Sequence, residues 1–230
     1  MNPLAPTPPT PEHISQIPMK PIQFLPFFIV VLAYISPARA EVKYLETPNG
    51  GIQPKVAIDG NGTTHRIYYK GKANAGNLYD TWKSKGGNWS APMVVNSTED
   101  SAISMGTIRG AQFAFAQDGR IHVVWNGSAV GLPKWAAGPP MWYARSNPGG
   151  KGFEIQQPVS GNSPVDGGGA VVVDRKGIIH VFWHSGKHGG NEQDRRIFVR
   201  SSRDSGRSFS PEKAISPPNL YQSAHGITLS

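Results

Sequence analysis

Three histidines, His180, His184 and His188, follow one another at intervals of four residues. On a helix that spacing would align three imidazoles and suit a metal ion. The stretch reads instead as an apolar strand running into a Gly-rich loop, so the alignment loses its meaning. No metal site is expected, and His184 and His188 remain as ligand-binding candidates. Trp135 and Trp142 offer flat faces that suit the apolar side of a sugar ring. Trp142 stands in a strand-like run and suits a core, which leaves Trp135 as the ligand candidate. A further pattern, S-x-D-x-G-x-S-F, is carried by Ser202, Asp204, Gly206, Ser208 and Phe209. Its Asp can accept backbone N–H groups of its own turn, its Gly can take positive φ, and its aromatic can plug the sheet below. The sequence has no phosphate loop, no G-x-S-x-G and no H-E-x-x-H, so nucleotide, serine-hydrolase and zinc-hydrolase chemistry have no support, and no cofactor is expected.

The elements that must position these residues recur. Gly62, Gly119 and Gly177 each stand three residues before a histidine, and Tyr68, Trp125 and Trp183 three after it. The histidines His65, His122 and His180 fall 57 and 58 residues apart. A period of this length, built of short apolar runs between turn signals, is the mark of a propeller or an array. Alternation and punctuation give four strands per unit. In the first they are 54–58, 64–69, 78–83 and 89–95. The second has 112–115, 121–125, 141–146 and 153–159, and the third has 170–173, 178–183, 196–201 and 209–215. The S-x-D-x-G-x-S-F turn joins the last two strands of the third unit. The matching turn 146–153 has Pro148 where Asp would stand, and the turn after Ser84 is shorter. Blades are expected at about 41–103, 104–163 and 164–219, with a fourth beginning at 220–230.

Gly 27 and Pro 21 with 17% charged residues suit a turn-rich all-β chain. Residues 1–18 are Pro-rich and are expected to be disordered. Residues 19–40 have a basic start, an apolar run and an A-x-A site before Glu41, the pattern of a signal peptide cleaved after Ala40. The apolar run is too short for a stable membrane span, so the protein is read as secreted or periplasmic. Removing residues 1–40 leaves 21 basic and 14 acidic residues, a net charge of +7. Such an excess favours anionic partners, but no run of five basic residues occurs and nucleic acid is not expected. The chain has no cysteine, which excludes a disulfide framework and thiolate metal sites.

The turn at Ser202–Phe209 resembles the Asp-box of the BNR (bacterial neuraminidase) repeat, and with the repeated unit the chain is similar to sialidase-like β-propellers. The resemblance implies a six-bladed ring of four-stranded antiparallel blades, of which this chain supplies about three. The ring would need roughly 340 residues at this repeat length. Open blade faces and edges then predict self-association. Strand A lies innermost in such a fold, so the D–A and B–C connections share the functional face and the Asp-boxes lie opposite, as structural turns. The functional face takes 50–55, 105–110, 166–169 and 223–226 from the D–A side, and 70–77, 126–140 and 184–195 from the B–C side. In sialidases three arginines clamp the sugar carboxylate, a Tyr activated by Glu is the nucleophile, and an Asp is the acid/base. The resemblance gives Arg109 the carboxylate and Asp166 the proton. Arg195 or Arg196 would be a second arginine, no third is apparent, and the nucleophile would come from a later blade. His225 joins Trp135, His184, His188 and Arg195 as ligand-binding candidates. The implied function is an exported exo-glycosidase acting on terminal acidic sugars of glycans or glycoconjugates. The alternatives are a non-catalytic glycan- or protein-binding propeller and an inactive gene fragment.

Overall fold

The computed structural model describes Val42 and residues 44–106, 110–130, 132, 134, 138–161, 165–186 and 195–217, the side chain of Asp166 excepted. The disordered extension and signal peptide read at 1–40, and the fourth unit at 220–230, lie outside the described residues. The chain divides after Tyr44, and the fold below belongs to the second unit, Leu45–Ser230.

Among the described residues, twelve strands form three four-stranded antiparallel sheets, each in simple sequence order. The first sheet holds β1 (Ile52–Ile58), β2 (Thr64–Lys72), β3 (Ala75–Lys83) and β4 (Met93–Val94). The second holds β5 (Gln112–Phe115), β6 (Ile121–Asn126), β7 (Met141–Arg145) and β8 (Gln157–Pro158). The third holds β9 (Val165–Val173), β10 (Ile179–Ser185), β11 (Arg196–Ser202) and β12 (Lys213–Ala214). Only a 3-10 turn at Pro48–Gly50 interrupts the all-β pattern among the described residues. Each expected strand is present, but the fourth of each unit shrinks to two paired residues. Outermost strands pair on one side only, and Pro92, Pro158 and Pro211 in these runs have no N–H for a ladder.

The repeat is visible bond by bond. His65, His122 and His180 each sit one step inside the A–B turn, paired with Ala57, Ala114 and Val172. Across the blade they pair with Trp82, Arg145 and Ser201. Gly62, Gly119 and Gly177 close the three A–B turns with φ of 80°, 79° and 75°, a conformation that only glycine adopts without strain. At the other end of each C strand, the N–H groups of Leu78, Met141 and Ile197 donate to Asn96 Oδ1, Ser160 Oγ and Ser216 Oγ at 2.8–2.9 Å. That polar residue after each fourth strand is a repeat signal that alternation alone does not reveal.

Two cores lie between the sheets. Ile67, Tyr69 and Leu78 meet Val123, Trp125 and Trp142 between the first and second. Val124, Met141 and Tyr143 meet Val171, Val181 and Trp183 between the second and third. The middle sheet is therefore covered on both faces, which is why β6 is buried along its whole length and reads as a continuous apolar run. β10 alternates, with Ile179, Val181 and Trp183 facing the second sheet. Each such large side chain contributes about 1.5–3 kcal/mol on burial.

Candidate functional site

Because the four strands of each sheet run back and forth in order, the A–B and C–D turns lie at one end and the B–C and D–A connections at the other. At the second end the innermost strands are irregular. In the third sheet Val165 pairs with Ser185 and Gly169 with Trp183, so 166–168 bulge opposite His184 alone. In the first sheet Ile52 pairs with Tyr69 and Lys55 with Ile67, so Gln53 and Pro54 bulge in the same way. Gln53 takes φ 51° there, and its amide donates to Ser104 O at 3.2 Å and Gly106 O at 2.5 Å. Bulges of this kind re-aim side chains and recur beside sites. The structure thus starts β9 at Val165, five residues earlier than alternation suggests. Asp166 lies within the strand rather than in the loop before it. Gly167 and Gly168 hide this extension from a pattern reading, since they supply no side chain to alternate.

Polar residues late in the second strands gather around this end. Tyr69, Asn126 and His184 each stand four residues beyond a repeat histidine, and all three are buried. Tyr69 donates its hydroxyl to Lys72 O. Asn126 Nδ2 reaches from the second blade to Gly167 O in the third at 2.6 Å. A Cβ on Gly167 would collide with the His184 imidazole, so the Gly167 backbone lies directly on that ring. His184 is 4% exposed and is the last residue but one of β10; it belongs to the strand and not to the loop. Asn126 and Tyr69 escaped the sequence reading. The signal was there, as the residue after each repeat aromatic.

The remaining candidates divide. Arg195 is half-buried just ahead of β11. Arg196 is directed outward, donating from Nε and Nη2 to Ser216 O at 3.2 and 2.9 Å. Trp142 packs into the core between the first two sheets. Arg109, Trp135, His188 and His225 lie outside the described residues. The B–C connection expected at 70–77 is instead a tight hairpin, with Lys72 paired to Ala75. The D–A connection beyond β4 is pinned by a polar network. Asn96 Nδ2 donates to Asn77 Oδ1 at 2.8 Å and to Thr98 O at 2.7 Å, and Ser101 Oγ reaches Gln156 Oε1 at 3.1 Å. These bonds tie the loop to the sheet, although the buried Gln156 Nε2 has no hydrogen-bond partner among the described residues. Among the described residues no group of three His, Asp or Glu can hold a metal ion.

At the opposite end, the turn 202–209 closes around Asp204. Its Oδ1 accepts the N–H groups of Arg207 and Ser208 at 3.0 and 2.9 Å and the Ser202 hydroxyl at 2.7 Å. The Ser208 hydroxyl donates to Oδ2 at 2.6 Å, and Gly206 N–H to Ser202 Oγ at 2.8 Å. The Ser208 hydroxyl and N–H, followed by Ser202, hold the Asp204 carboxyl well below the usual carboxylate range. Phe209 meets Tyr143 edge to face at 5.0 Å, which joins this turn to the second blade.

The chain is similar in fold to three solved enzymes that act on glycans by their titles. It aligns with a mutant NanB sialidase from Streptococcus pneumoniae at 12% identity and a TM-score of 0.50, over 77% of this chain and 25% of that one. A Hadza microbial sialidase aligns at 14% identity and a TM-score of 0.49, over 69% of this chain and 36% of that one. An ulvan lyase aligns at 16% identity and a TM-score of 0.47, over 73% and 37%. The chain therefore spans a quarter to somewhat over a third of these proteins. No protein-family model and no curated protein sequence matches it. Three consecutive four-stranded blades of a sialidase-like β-propeller are the fold.

Proposed function

We propose that this is an exported sialidase-like propeller protein with BNR-type repeats, an exo-glycosidase that takes terminal acidic sugars of glycans. The observation that carries the reading is the bulge at 166–168. It sits at the end of an innermost strand, held by Asn126 from the neighbouring blade and by His184 from its own. To Asp166, whose backbone lies in this bulge, we assign the proton that a glycosidic oxygen receives. To Arg109, which the resemblance assigns to the same face, falls the sugar carboxylate. Its planar fork matches a sugar carboxylate bidentately and keeps its charge at any working pH.

The non-catalytic glycan-binding alternative also has support. Several arginines are engaged elsewhere: Arg66 with Glu46 O, Arg120 and Arg145 with Glu154, and Arg196 with Ser216 O. The three-arginine clamp of the resemblance is thus not assembled from the described residues.

Release of a fluorogenic sialoside by the purified mature chain tests both readings. Hydrolysis that falls by about a hundredfold or more in Arg109→Ala and in Asp166→Asn supports the enzyme. Equal rates in the variants remove these residues from the mechanism. Binding without turnover, lost in Arg109→Ala, supports the non-catalytic reading.

A further inference from the structure

A cavity of about 420 Å³ opens between the first two blades at the A–B turn end, away from Asp166. Its floor is aromatic. His65 and Trp82 are cross-strand partners whose rings lie 6.4 Å apart and within 26° of parallel, and Phe115 of the second blade packs on His65 at 5.3 Å. Behind the floor, His65 Nδ1 lies 3.2 Å from Asp80 Oδ2, and Asp80 is fully buried. Its other oxygen has no hydrogen-bond partner among the described residues.

The repeat itself does not require this arrangement. The positions of Trp82 and Asp80 are filled by Arg145 and Tyr143 in the second blade, and by Ser201 and Val199 in the third. Burying a carboxylate is costly, and a tyrosine or a valine serves the same backbone position elsewhere. In the first blade the carboxylate fixes the orientation of a histidine that lines an open cavity.

The rim is polar and preset. Asp59 Oδ1 accepts the N–H groups of Asn61 and Thr63 at 2.9 and 2.8 Å, and Asp118 Oδ1 accepts that of Arg120 at 3.1 Å. Asn61 and Lys151 complete it. Aromatic rings suit the C–H face of a pyranose, and carboxylate and amide oxygens accept its hydroxyls. Arg120 Nε lies 3.4 Å from Asp118 Oδ2 and Lys151 stands on the same rim, so the charges there are balanced and a neutral ligand meets no net field. The volume is that of a small-ligand pocket.

We infer that the cavity floored by His65 and Trp82 and rimmed by Asp59 and Asp118 is a second carbohydrate site. Its ligand is a neutral pyranose unit, and it is independent of the site proposed around Asp166. Saturation-transfer NMR on the mature chain, with methyl glucoside, methyl galactoside, N-acetylglucosamine and sialic acid as probes, tests it. At least one neutral sugar receives saturation on its ring protons. The affinity falls about tenfold or more in Trp82→Leu and in Asp118→Asn, with melting temperature reporting that each variant is folded. Arg109→Ala leaves this binding unchanged. No saturation of any neutral sugar, response to sialic acid alone, or unaltered binding in Asp118→Asn would overturn the inference.

Discussion

His122 and Tyr143 show how one repeat position acquires its own chemistry. His122 Nδ1 lies 2.6 Å from the Tyr143 hydroxyl, and both side chains are buried. Burial pushes the tyrosine up, so its hydroxyl stays protonated and donates to a neutral imidazole. Burial is also the largest influence on His122 and brings it from its ordinary 6.5 down to about 4. Between those values the unfolded chain binds more protons than the folded one, so stability rises with pH across this window. The contribution is full above pH 6.5 and is lost as pH falls towards 4. It amounts to roughly 3 kcal/mol. Urea unfolding from pH 4 to 6.5 should therefore show a slope that His122→Asn flattens. His65 and His180 keep the register of His122 but meet Asp80 and Ser201 instead. Equivalent backbone position was legible from the spacing, whereas the partner belongs to the third strand and had to be seen.

At the scale of the element, two glycines with the same backbone angle serve different ends. Gly62 has φ 80° with nothing within 4 Å of a Cβ, so it answers only to the turn. Gly206 has φ 82°, and a Cβ there would occupy the place of the Tyr143 hydroxyl. Gly62→Ala should cost about 1–2 kcal/mol from backbone strain alone. Gly206→Ala should cost more, because it also parts the turn at 202–209 from the second blade. Comparing the two denaturation midpoints checks this, and equal losses would mean that the Tyr143 contact is unimportant. The strands themselves were readable, since apolar alternation survives wherever one face is buried. The bulges at Gln53–Pro54 and 166–168 were not, because a register break depends on the neighbouring strand.

At the scale of the molecule, the second sheet is covered on both faces, whereas among the described residues the outer faces of the first and third are covered in part at most. On the first sheet, the stretch 46–51 covers part of that face, with Glu46 O on Arg66 and Gly51 against the Tyr68 ring. Val56, Ile58 and Val94 on the same face remain 59%, 65% and 49% exposed. Contiguous apolar exposure of this kind favours association. The self-association expected from the sequence is measured by sedimentation of the mature chain over a range of concentrations. A shift towards the monomer in the double variant Val56→Lys, Ile58→Lys is the expected result, and a monomer at every concentration would refute it.

By itself the sequence determined the repeat, the strand order within each described sheet and the A–B turns. These follow from local backbone preference and from a periodicity that recurs every 57 or 58 residues. Only the tertiary structure decided that Asp166 lies in a bulged strand against His184, that Asn126 crosses between blades, and that Trp82 and His65 floor a cavity. Those facts rest on contacts between residues distant along the chain, and no local pattern records which side chain a neighbouring blade will bring to the interface.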